Sequence, residues 1–343
     1  MGIIRLLLAL SVVGGHLIIP HFWSGTGGKI AVEAFFMISG FYMCLVLDKT
    51  YRHGVRHFYF NRALRLFPIY WVVAGATLCF WLATHAACIE QFKSLPTFTK
   101  TLLAVTNFTL FGQDWIMFMG PTPHGVEFVR NFRDTSPMLW TFLLDPPAWT
   151  LGVELTFYLI APFILRGRAL KYLLAIIVVS FLIKAGLSVA KLNYDPWTYR
   201  FFPAELGFFI LGSVAYKISD RLDRVTRSIP AHSWIATGII VAIILVYRYL
   251  HFPAFVFFAF LFLLLPKIFA ESSRNAADRF LGELSYPIYI VHAPLIGVIE
   301  HYTGDSLTFF MGILMVAGVL AAAVILKLCV DMPVEHIRSR LRT

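Results

Sequence analysis

Ten long apolar runs dominate this sequence and restrict the folds that the chain can adopt. A helix needs about 20 apolar residues to cross a bilayer, and the alternating pattern of a membrane β-barrel is absent. With 59% hydrophobic and only 14% charged residues, against about 25% charged in soluble domains, the composition excludes a soluble enzyme, a disordered chain and a nucleic-acid-binding domain. We therefore predict an all-α polytopic membrane protein with about ten transmembrane helices. The runs lie near residues 3–19, 30–48, 64–84, 147–165, 170–190, 200–217, 232–250, 252–270, 284–300 and 307–328.

The distribution of basic residues predicts how these helices are oriented. Lys and Arg number 29, Asp and Glu number 19, and the formal net charge is +10. With the N-terminus inside, 20 basic residues fall in inner segments, 8 fall outside, and Lys184 lies within a run. Because positive residues accumulate on the cytoplasmic side, both termini are predicted to be cytoplasmic. We expect a multi-pass protein of the plasma membrane, in bacteria the inner membrane, without a nucleic-acid partner.

A long loop at 85–146 separates the third and fourth runs and is predicted to be external. Within it, residues 97–112 are moderately apolar, but a full span here would invert every later loop, so we expect a re-entrant or interfacial helix. Trp115 and Trp140 suit stacking on sugar rings, although interfacial aromatic residues are also ordinary membrane anchors. Residues 1–343 are expected to form one integral-membrane domain, and no appended soluble domain is expected because little chain follows the last run.

Six ionisable side chains lie inside the apolar runs. Such groups are costly in a bilayer and by default mark functional sites. In the predicted orientation five of them fall in the outer halves of their helices and His292 lies nearer the middle, which predicts one polar cavity in the outer half of the membrane. Two structural alternatives remain open, namely a buried ion pair of Glu154 with Lys184 and an inter-helix hydrogen bond of His292. The six residues are His16, Glu33, Glu154, Lys184, Glu205 and His292.

Three arginines near the inner ends of the first and third runs form a second feature. Arg5 and His16 are eleven residues apart, so they share one helix face and are separated by about 16 Å along the axis. Arg62 and Arg65, three residues apart, project from neighbouring positions on a helix. Guanidinium groups suit a phosphate, which arginine binds bidentately, but inner arginines also simply satisfy the positive-inside rule. The pattern alone leaves both interpretations open.

Several short motifs follow one another along the chain. They begin with Arg5 and His16 and continue with VEAFFMISGF (32–41), NRALRLFPIYW (61–71), AWTLGVELTFYL (148–159), LGELSYPIYIVHAP (281–294) and VDMP (330–333). Each is weak alone, but in this order and topology they resemble the membrane-bound acyltransferase-3 family. The resemblance runs from Arg5 to about Arg340 and therefore covers nearly the whole chain.

The resemblance implies a ten-helix enzyme that acylates hydroxyl groups, often on surface or secreted carbohydrates. The family commonly takes the acyl group from a cytoplasmic acyl-CoA, and some relatives carry an extra soluble esterase-like domain that completes the transfer. The family motifs place functional residues at Arg5 and His16, at the arginine pair Arg62 and Arg65, and at Glu154.

Two positions depart from the family pattern. The family usually has Asp at the position of Glu33, which lengthens the acid here by one methylene, and it often has Ser at the position of Gly152. Both departures concern side-chain geometry, and neither changes the expected reaction class.

These features predict an O-acyltransferase, of the class that transfers groups other than aminoacyl groups. We expect acetyl-CoA or another acyl-CoA as donor substrate, a hydroxyl of a polysaccharide, lipopolysaccharide or oligosaccharide as acceptor, and neither a bound cofactor nor a metal site. His16 would be the general base, oriented by Glu33 as the acid orients the imidazole in a Ser-His-Asp triad, and an acyl-His16 intermediate is an open alternative. The predicted catalytic residues are His16, Glu33 and Glu154, the donor-binding residues Arg5, Arg62 and Arg65, and the possible cavity residues Lys184, Glu205, Tyr286 and His292.

A secondary transporter or flippase for a polar or lipid-linked substrate is the alternative from a different class. Its intramembrane charges would line a substrate path, and broken helices in two corresponding halves would be expected, but the sequence has no half-to-half similarity. A lipid-linked sugar transferase would need acidic metal-binding clusters in its loops, and none is evident. The resemblance therefore favours the acyltransferase.

Overall fold

Three helices form the N-terminal part of the molecule: α1 (Gly2–His16), α2 (Gly27–Lys49) and α3 (Val55–Ala83). Each lies at a predicted apolar run, because a backbone in an apolar environment satisfies its hydrogen bonds most simply as a helix. α3 begins well before the predicted start at 64, so the NRALR motif lies inside the helix rather than in a loop before it. The computed structural model describes residues 1–17, 19–51, 54–229, 234–250, 253–273, 275–304 and 308–340.

The connecting segment, residues 85–146, contains short elements instead of one long helix. Its α5 has 13 residues and is therefore about 20 Å long, which is too short to cross a hydrocarbon core of about 30 Å. A re-entrant or interfacial position of this helix stays a prediction. The elements are α4 (Ala87–Ser94), α5 (Thr97–Thr109), α6 (Gln113–Ile116), the antiparallel hairpin β1 (Met119–Thr122) with β2 (Gly125–Phe128), and 3-10 turns at Phe132–Asp134, Leu139–Phe142 and Pro146–Ala148.

The remaining helices return the chain through the bundle several times. Two of them, α10 and α15, are short and lie beside longer neighbours. A π-helical turn at Lys327–Asp331 joins the last two helices. The helices are α7 (Trp149–Leu165), α8 (Leu170–Val189), α9 (Phe202–Lys217), α10 (Ser219–Val225), α11 (Ile235–Leu250), α12 (Ala254–Ser272), α13 (Ala276–Thr303), α14 (Phe309–Leu326) and α15 (Met332–Arg340).

A helix lies at each of the ten predicted places, which confirms the all-α prediction and a multi-pass membrane protein. The count of ten crossings and the cytoplasmic termini stay predictions, because α1, α9 and α11 are shorter than the others. The predicted run starts at 232 and 252 and the inner cations Arg52, Arg274 and Arg342 lie outside the described residues. Within the described ranges, seven segments are long and apolar enough to cross a membrane: Gly27–Lys49, Val55–Ala83, Pro146–Leu165, Leu170–Val189, Ala254–Ser272, Ala276–Thr303 and Phe309–Arg340.

Two close helix contacts position the polar residues. α2 packs against α9, and a Cβ at Gly40 or at Gly212 would lie 1.8 Å from a backbone oxygen of the opposite helix. Glycine at both positions therefore lets these backbones approach, as small residues do in membrane bundles. α1 packs against α13, where a Cβ at Gly282 would lie 2.9 Å from the Cα of Gly2. This second contact holds the Arg5–His16 face of α1 beside α13.

Candidate active site

A cavity of about 490 Å³ lies between helices of the bundle and reaches the side predicted to be cytoplasmic. The start of α1, much of α2, the first half of α3, α7, the end of α12 and the first half of α13 contribute to its wall. The chain thus brings together residues from five distant motifs. Five of the predicted site residues line this space, which we call the arginine cavity: Arg5, Arg62, Arg65, Glu154 and Tyr286.

The arginines of this cavity have few protein partners. Arg62 is only 7% exposed; its Nη2 donates to Oδ1 of Asn61 at 2.8 Å, and its Nε has no partner. Across the described part of the chain, no ion pair ends on Arg5, Arg62 or Arg65. Glu154 lies within electrostatic range of all three. Two other acids in the cavity wall are bound elsewhere, Asp278 by the N-terminal amine and Glu283 by Lys327. Because the three guanidinium groups have no ion pair from the described residues, the cavity is suited to an anion.

Glu154 on α7 is held by hydroxyl groups of the same cavity. Its Oε1 accepts hydrogen bonds from the hydroxyl of Ser39 at 2.6 Å and from the hydroxyl of Tyr158. Tyr286 lines the cavity from α13 and donates to the carbonyl of Leu66 on α3. The structural alternative of a Glu154 ion pair with Lys184 is therefore wrong, since Glu154 faces α2 and the arginines.

Lys184 instead joins three helices in a buried group that we call the lysine cluster. Its Nζ lies 2.6 Å from Oε1 of Glu33 on α2 and 2.8 Å from Oε1 of Glu205 on α9. The carboxylates are 3% and 0% exposed, respectively. The expectation that Glu33 orients His16 is not met, because Glu33 accepts from Lys184, and no hydrogen bond joins Glu33 to His16 within the described residues. α8 packs beside α9, which brings the lysine within reach of both acids.

His16 and His292 form a pair at the other end of α1, which we call the histidine pair. Their ring centroids are 4.9 Å apart at an interplanar angle of 60°. The Nδ1 of His16 lies 2.9 Å from the carbonyl oxygen of Val12. Because a carbonyl only accepts, this contact makes Nδ1 the donor and leaves Nε2 of the neutral ring with a lone pair. His16 is exposed, so this nitrogen is open to a substrate hydroxyl.

Two hydroxyl-bearing residues lie between the arginine cavity and the histidine pair. Tyr289 lines the cavity, and its ring centroid lies 5.7 Å from that of His292. Thr150, also in the cavity wall, donates to the hydroxyl of Tyr289 at 3.0 Å. Sequence reasoning missed both residues as site members. The available signal was their position inside the motifs that carry Glu154 and His292.

The prediction that the six ionisable residues of the apolar runs share one polar cavity is therefore wrong. The charges occupy three separate places: the arginine cavity, the lysine cluster and the histidine pair. Depth along each helix was derived from sequence, but the direction of a side chain also depends on how its helix is rotated against its neighbours. Glu154 is an example, because α7 is rotated so that this side chain faces the arginines.

Two carboxyl groups of the connecting segment are buried beside α7 and were not predicted. Asp114 is 1% and Asp145 0% exposed. Desolvation raises the pKa of Asp114 to about 7 and raises the pKa of Asp145 well above its usual value. A Cβ at Gly152 would lie 2.7 Å from Oδ1 of Asp114. The glycine that departs from the family pattern thus leaves space for this carboxyl group.

Arg200 is a further residue that the sequence did not single out. Its guanidinium lies 4.3 Å from the ring of Trp149 and its Nε lies 2.5 Å from Oδ1 of Asp195. It is also within electrostatic range of His16. Arg200 precedes α9 and is far from His16 in sequence, so only the packing of the helices brings the two residues within electrostatic range.

The arrangement can bind an anion at one end and transfer a proton at the other. Guanidinium groups provide the anion site, and an exposed neutral imidazole with a free Nε2 is a general base or a nucleophile near neutral pH. The Arg5–His16 face of α1 connects the two ends over about 16 Å. Tyr289 in the cavity wall lies beside His292, which in turn contacts His16.

Two proteins named as peptidoglycan O-acetyltransferases are similar to this chain. A protein of Listeria monocytogenes serovar 1/2a named peptidoglycan O-acetyltransferase OatA is 24% identical over 324 residues, which are 85% of this chain and 48% of that protein. YrhL of Bacillus subtilis, provisionally named a peptidoglycan O-acetyltransferase, is 24% identical over 204 residues, 56% of this chain and 28% of that protein. The chain thus spans about half the length or less of these relatives. No solved structure matches significantly.

The sequence profile described as an acyltransferase domain matches residues 1–330 of the 343. This match extends from α1 to the π-helical turn and includes every predicted site residue. The chain therefore belongs to the acyltransferase-3 family.

Proposed function

We propose that the chain is a multi-pass O-acetyltransferase of the plasma membrane, in bacteria the inner membrane. It moves an acetyl group from cytoplasmic acetyl-CoA to a hydroxyl of a surface or secreted carbohydrate, such as a polysaccharide, lipopolysaccharide or oligosaccharide. The names of the two relatives support an O-acetylated carbohydrate. The donor and the direction of transfer are inferred from the arrangement of charges.

The observation that carries the proposal is the arginine cavity. Arg5, Arg62 and Arg65 face one space of about 490 Å³ without an ion pair from the described residues, so they offer charge-assisted hydrogen bonds to phosphate groups. Coenzyme A carries its phosphates at one end of a long arm and the thioester at the other. With the phosphates at the arginines, the arm follows α1 past Thr150 and Tyr289 towards His16.

His16 then acts on the acceptor hydroxyl. Its Nε2 takes the hydroxyl proton while the hydroxyl oxygen attacks the thioester carbonyl. The carbon–sulfur bond breaks, the ester forms, and the proton passes from His16 to the departing sulfur, which leaves as the CoA thiol. In the alternative order, Nε2 attacks the thioester carbonyl and the CoA thiolate leaves. The acceptor oxygen then attacks acetyl-His16, the carbon–nitrogen bond breaks, and the hydroxyl proton passes to the thiolate. Glu154 accepts hydrogen bonds from Ser39 and Tyr158 and forms part of the cavity wall beside the donor.

The test is acetyl transfer by the purified protein in lipid vesicles, with labelled acetyl-CoA and a carbohydrate acceptor. We expect His16→Ala to abolish transfer while leaving the amount of inserted protein unchanged. His301→Ala is a matched control, because His301 lies on α13 and is exposed. Near-normal transfer by His16→Ala, or movement of an unacylated substrate across the vesicle membrane by the wild type, would overturn the proposal. In the native host, the acyl content of surface polysaccharides should fall when the chain is removed.

A further inference from the structure

A second pocket, of about 420 Å³, lies where α8 begins and α9 ends. Its wall is made by residues from the start of α8, the end of α9 and the short helix α10, and it shares no lining residue with the arginine cavity. We call this space the basic pocket. Its lining residues are Leu170, Lys217, Ile218, Asp220, Arg221 and Arg224.

The charged side chains of the basic pocket are not balanced by the chain. Three cations and one carboxylate give a net charge of +2. In the described part of the chain, no ion pair ends on Lys217, Arg221 or Arg224. The two arginines are three residues apart on α10, so they project from neighbouring positions. Nζ of Lys217 donates to the carbonyl oxygen of Arg168 at 3.0 Å, and because an ammonium group has three donors, two of them are left for a ligand.

The positive-inside rule accounts for cations on the side predicted to be cytoplasmic, but it does not require them to surround one pocket. Arg227 shows the difference, because it is exposed in the same segment, two residues after the end of α10, and does not line the pocket. Guanidinium groups that converge on one space form charge-assisted hydrogen bonds with phosphate oxygens. The pocket therefore fits a ligand with a phosphate group.

The apolar wall of the pocket continues along α8. Leu170 is followed at four-residue spacing by Leu174, Val178 and Leu182, and residues at this spacing form one row along a helix. The last three are 46%, 56% and 65% exposed, on a helix that is long and apolar enough to cross a membrane. The row extends about 18 Å, slightly more than half of a hydrocarbon core of about 30 Å. It therefore has the length of an acyl chain in one leaflet.

Tyr172 indicates where the basic pocket lies relative to the membrane surface. It is 42% exposed in the first turn of α8, and the guanidinium of Arg168 lies 5.4 Å from its ring. Tyrosine is enriched at the boundary between lipid and water, and long basic side chains place their charged ends there. The basic pocket is thus at the level of lipid head groups.

We propose that the basic pocket binds the head group of an anionic phospholipid, with the phosphate at the three cations and one acyl chain along the exposed row of α8. Basic pockets at a membrane surface bind such head groups. Asp220 accepts a hydrogen bond from a head-group hydroxyl, so phosphatidylglycerol is a suitable probe. The bound lipid joins α8 to α10 and adds to the packing of α8 on α9. The site is independent of acetyl transfer, because no residue of the proposed reaction lines it.

The test measures the binding of phosphatidylglycerol to the full chain in a neutral detergent, with phosphatidylcholine of the same acyl chains as the comparison. We expect the wild type to bind phosphatidylglycerol at least about tenfold more tightly than phosphatidylcholine. Its unfolding temperature should rise with added phosphatidylglycerol, because a ligand that binds the folded state stabilises it.

Three variants separate a formed site from a generally basic surface. Arg221→Gln and Arg224→Gln should each weaken phosphatidylglycerol binding by about 10- to 100-fold, as for loss of a hydrogen bond to a charged group. Arg227→Gln is the matched control and should weaken binding by about fivefold or less, which is the general effect of one cation near an anionic surface. All three side chains are exposed, so we expect each variant to elute as monodisperse protein.

Equal losses in the three variants would show a diffuse attraction to a basic surface and would overturn the proposal. A wild type that binds both lipids equally would overturn it without any variant. Inorganic phosphate is the remaining comparison. If it displaces phosphatidylglycerol at a similar concentration, the pocket recognises a free phosphate and the acyl chain contributes nothing, which also contradicts a lipid site.

Discussion

The arginine cavity and the lysine cluster are both made of charges inside the helix bundle, but they differ in how those charges are balanced. In the lysine cluster, Lys184 lies within 2.8 Å of carboxylates from two other helices. In the arginine cavity, the carboxylate of Glu154 is bound by hydroxyl groups, and those of Asp278 and Glu283 pair with the N-terminal amine and with Lys327. The three guanidinium groups are therefore left without an ion pair from the described residues. The first group is satisfied by the chain itself, whereas we propose that the second is completed by the phosphate groups of the donor.

This difference teaches that a charge inside a membrane run is not by itself evidence of catalysis. Glu33 and Glu154 both met the same sequence criterion, an acid within an apolar run. Glu33 is bound within the lysine cluster, and Glu154 faces the cavity. A buried ion pair is strongly disrupted by removal of one member, whereas removal of a ligand-binding charge should affect the ligand and leave the fold intact. The predictions below separate the two cases.

The largest expected effect is on folding, from Lys184→Met. Removal of the lysine leaves two buried carboxylates without their cation, and loss of one partner of a buried pair costs about 3–5 kcal/mol. We expect a lower unfolding temperature in detergent and less protein in the membrane fraction. The measurement is thermal unfolding followed by the loss of monodisperse protein.

A matched variant tests whether the cluster has a catalytic role. Glu33→Gln and Glu205→Gln, combined with Lys184→Met, remove all three charges and should recover most of the lost stability, since neutral replacements of buried ion pairs are often well tolerated. If the triple variant is stable and acetylates at the normal rate, the cluster only joins α2, α8 and α9. A stable but inactive triple variant would restore the catalytic role that was expected for Glu33.

The next largest effect is on donor use, from Arg65→Ala. One charge-assisted hydrogen bond to a phosphate contributes about 1.5–3 kcal/mol, so we expect the KM for acetyl-CoA to rise by roughly 10- to 100-fold. The fold should stay intact, because no ion pair among the described residues ends on Arg65. Arg56→Ala is the matched control, since Arg56 is an exposed arginine at the start of the same helix. An unchanged KM in Arg65→Ala would refute the phosphate role.

The sequence predicts those features of the two sites that depend on a single helix. Apolar runs located the helices, and the spacing of Arg62 and Arg65 placed both on one side of α3. Partner choice could not be derived in the same way. The contact of Lys184 with Glu33 and Glu205 depends on α2, α8 and α9 being neighbours, and no local pattern encodes that. The histidine pair likewise required α1 to pack against α13 through Gly2 and Gly282.

The smallest expected effect concerns a third kind of buried charge, the carboxyl group of Asp114. Because its pKa is raised to about 7 in the folded chain, the folded state binds a proton more tightly than the unfolded state. The stabilisation is therefore full below the unfolded pKa, near 4, and is lost as the pH rises through about 7. Between pH 6 and pH 8 the connecting segment should lose about 1.4 kcal/mol of stability against local opening.

Limited proteolysis of the connecting segment at several pH values measures this loss. After correction for protease activity, we expect cleavage to be roughly tenfold faster at pH 8 than at pH 6. Asp114→Asn should flatten this part of the profile, because the amide does not ionise. Asp145→Asn serves as the comparison, since Asp145 is a second buried carboxyl group of the same segment. If Asp114→Asn leaves the dependence of the cleavage rate on pH unchanged between pH 6 and pH 7, this carboxyl group is already charged in the folded protein. Asp114 would then resemble the ionised carboxylates of the lysine cluster.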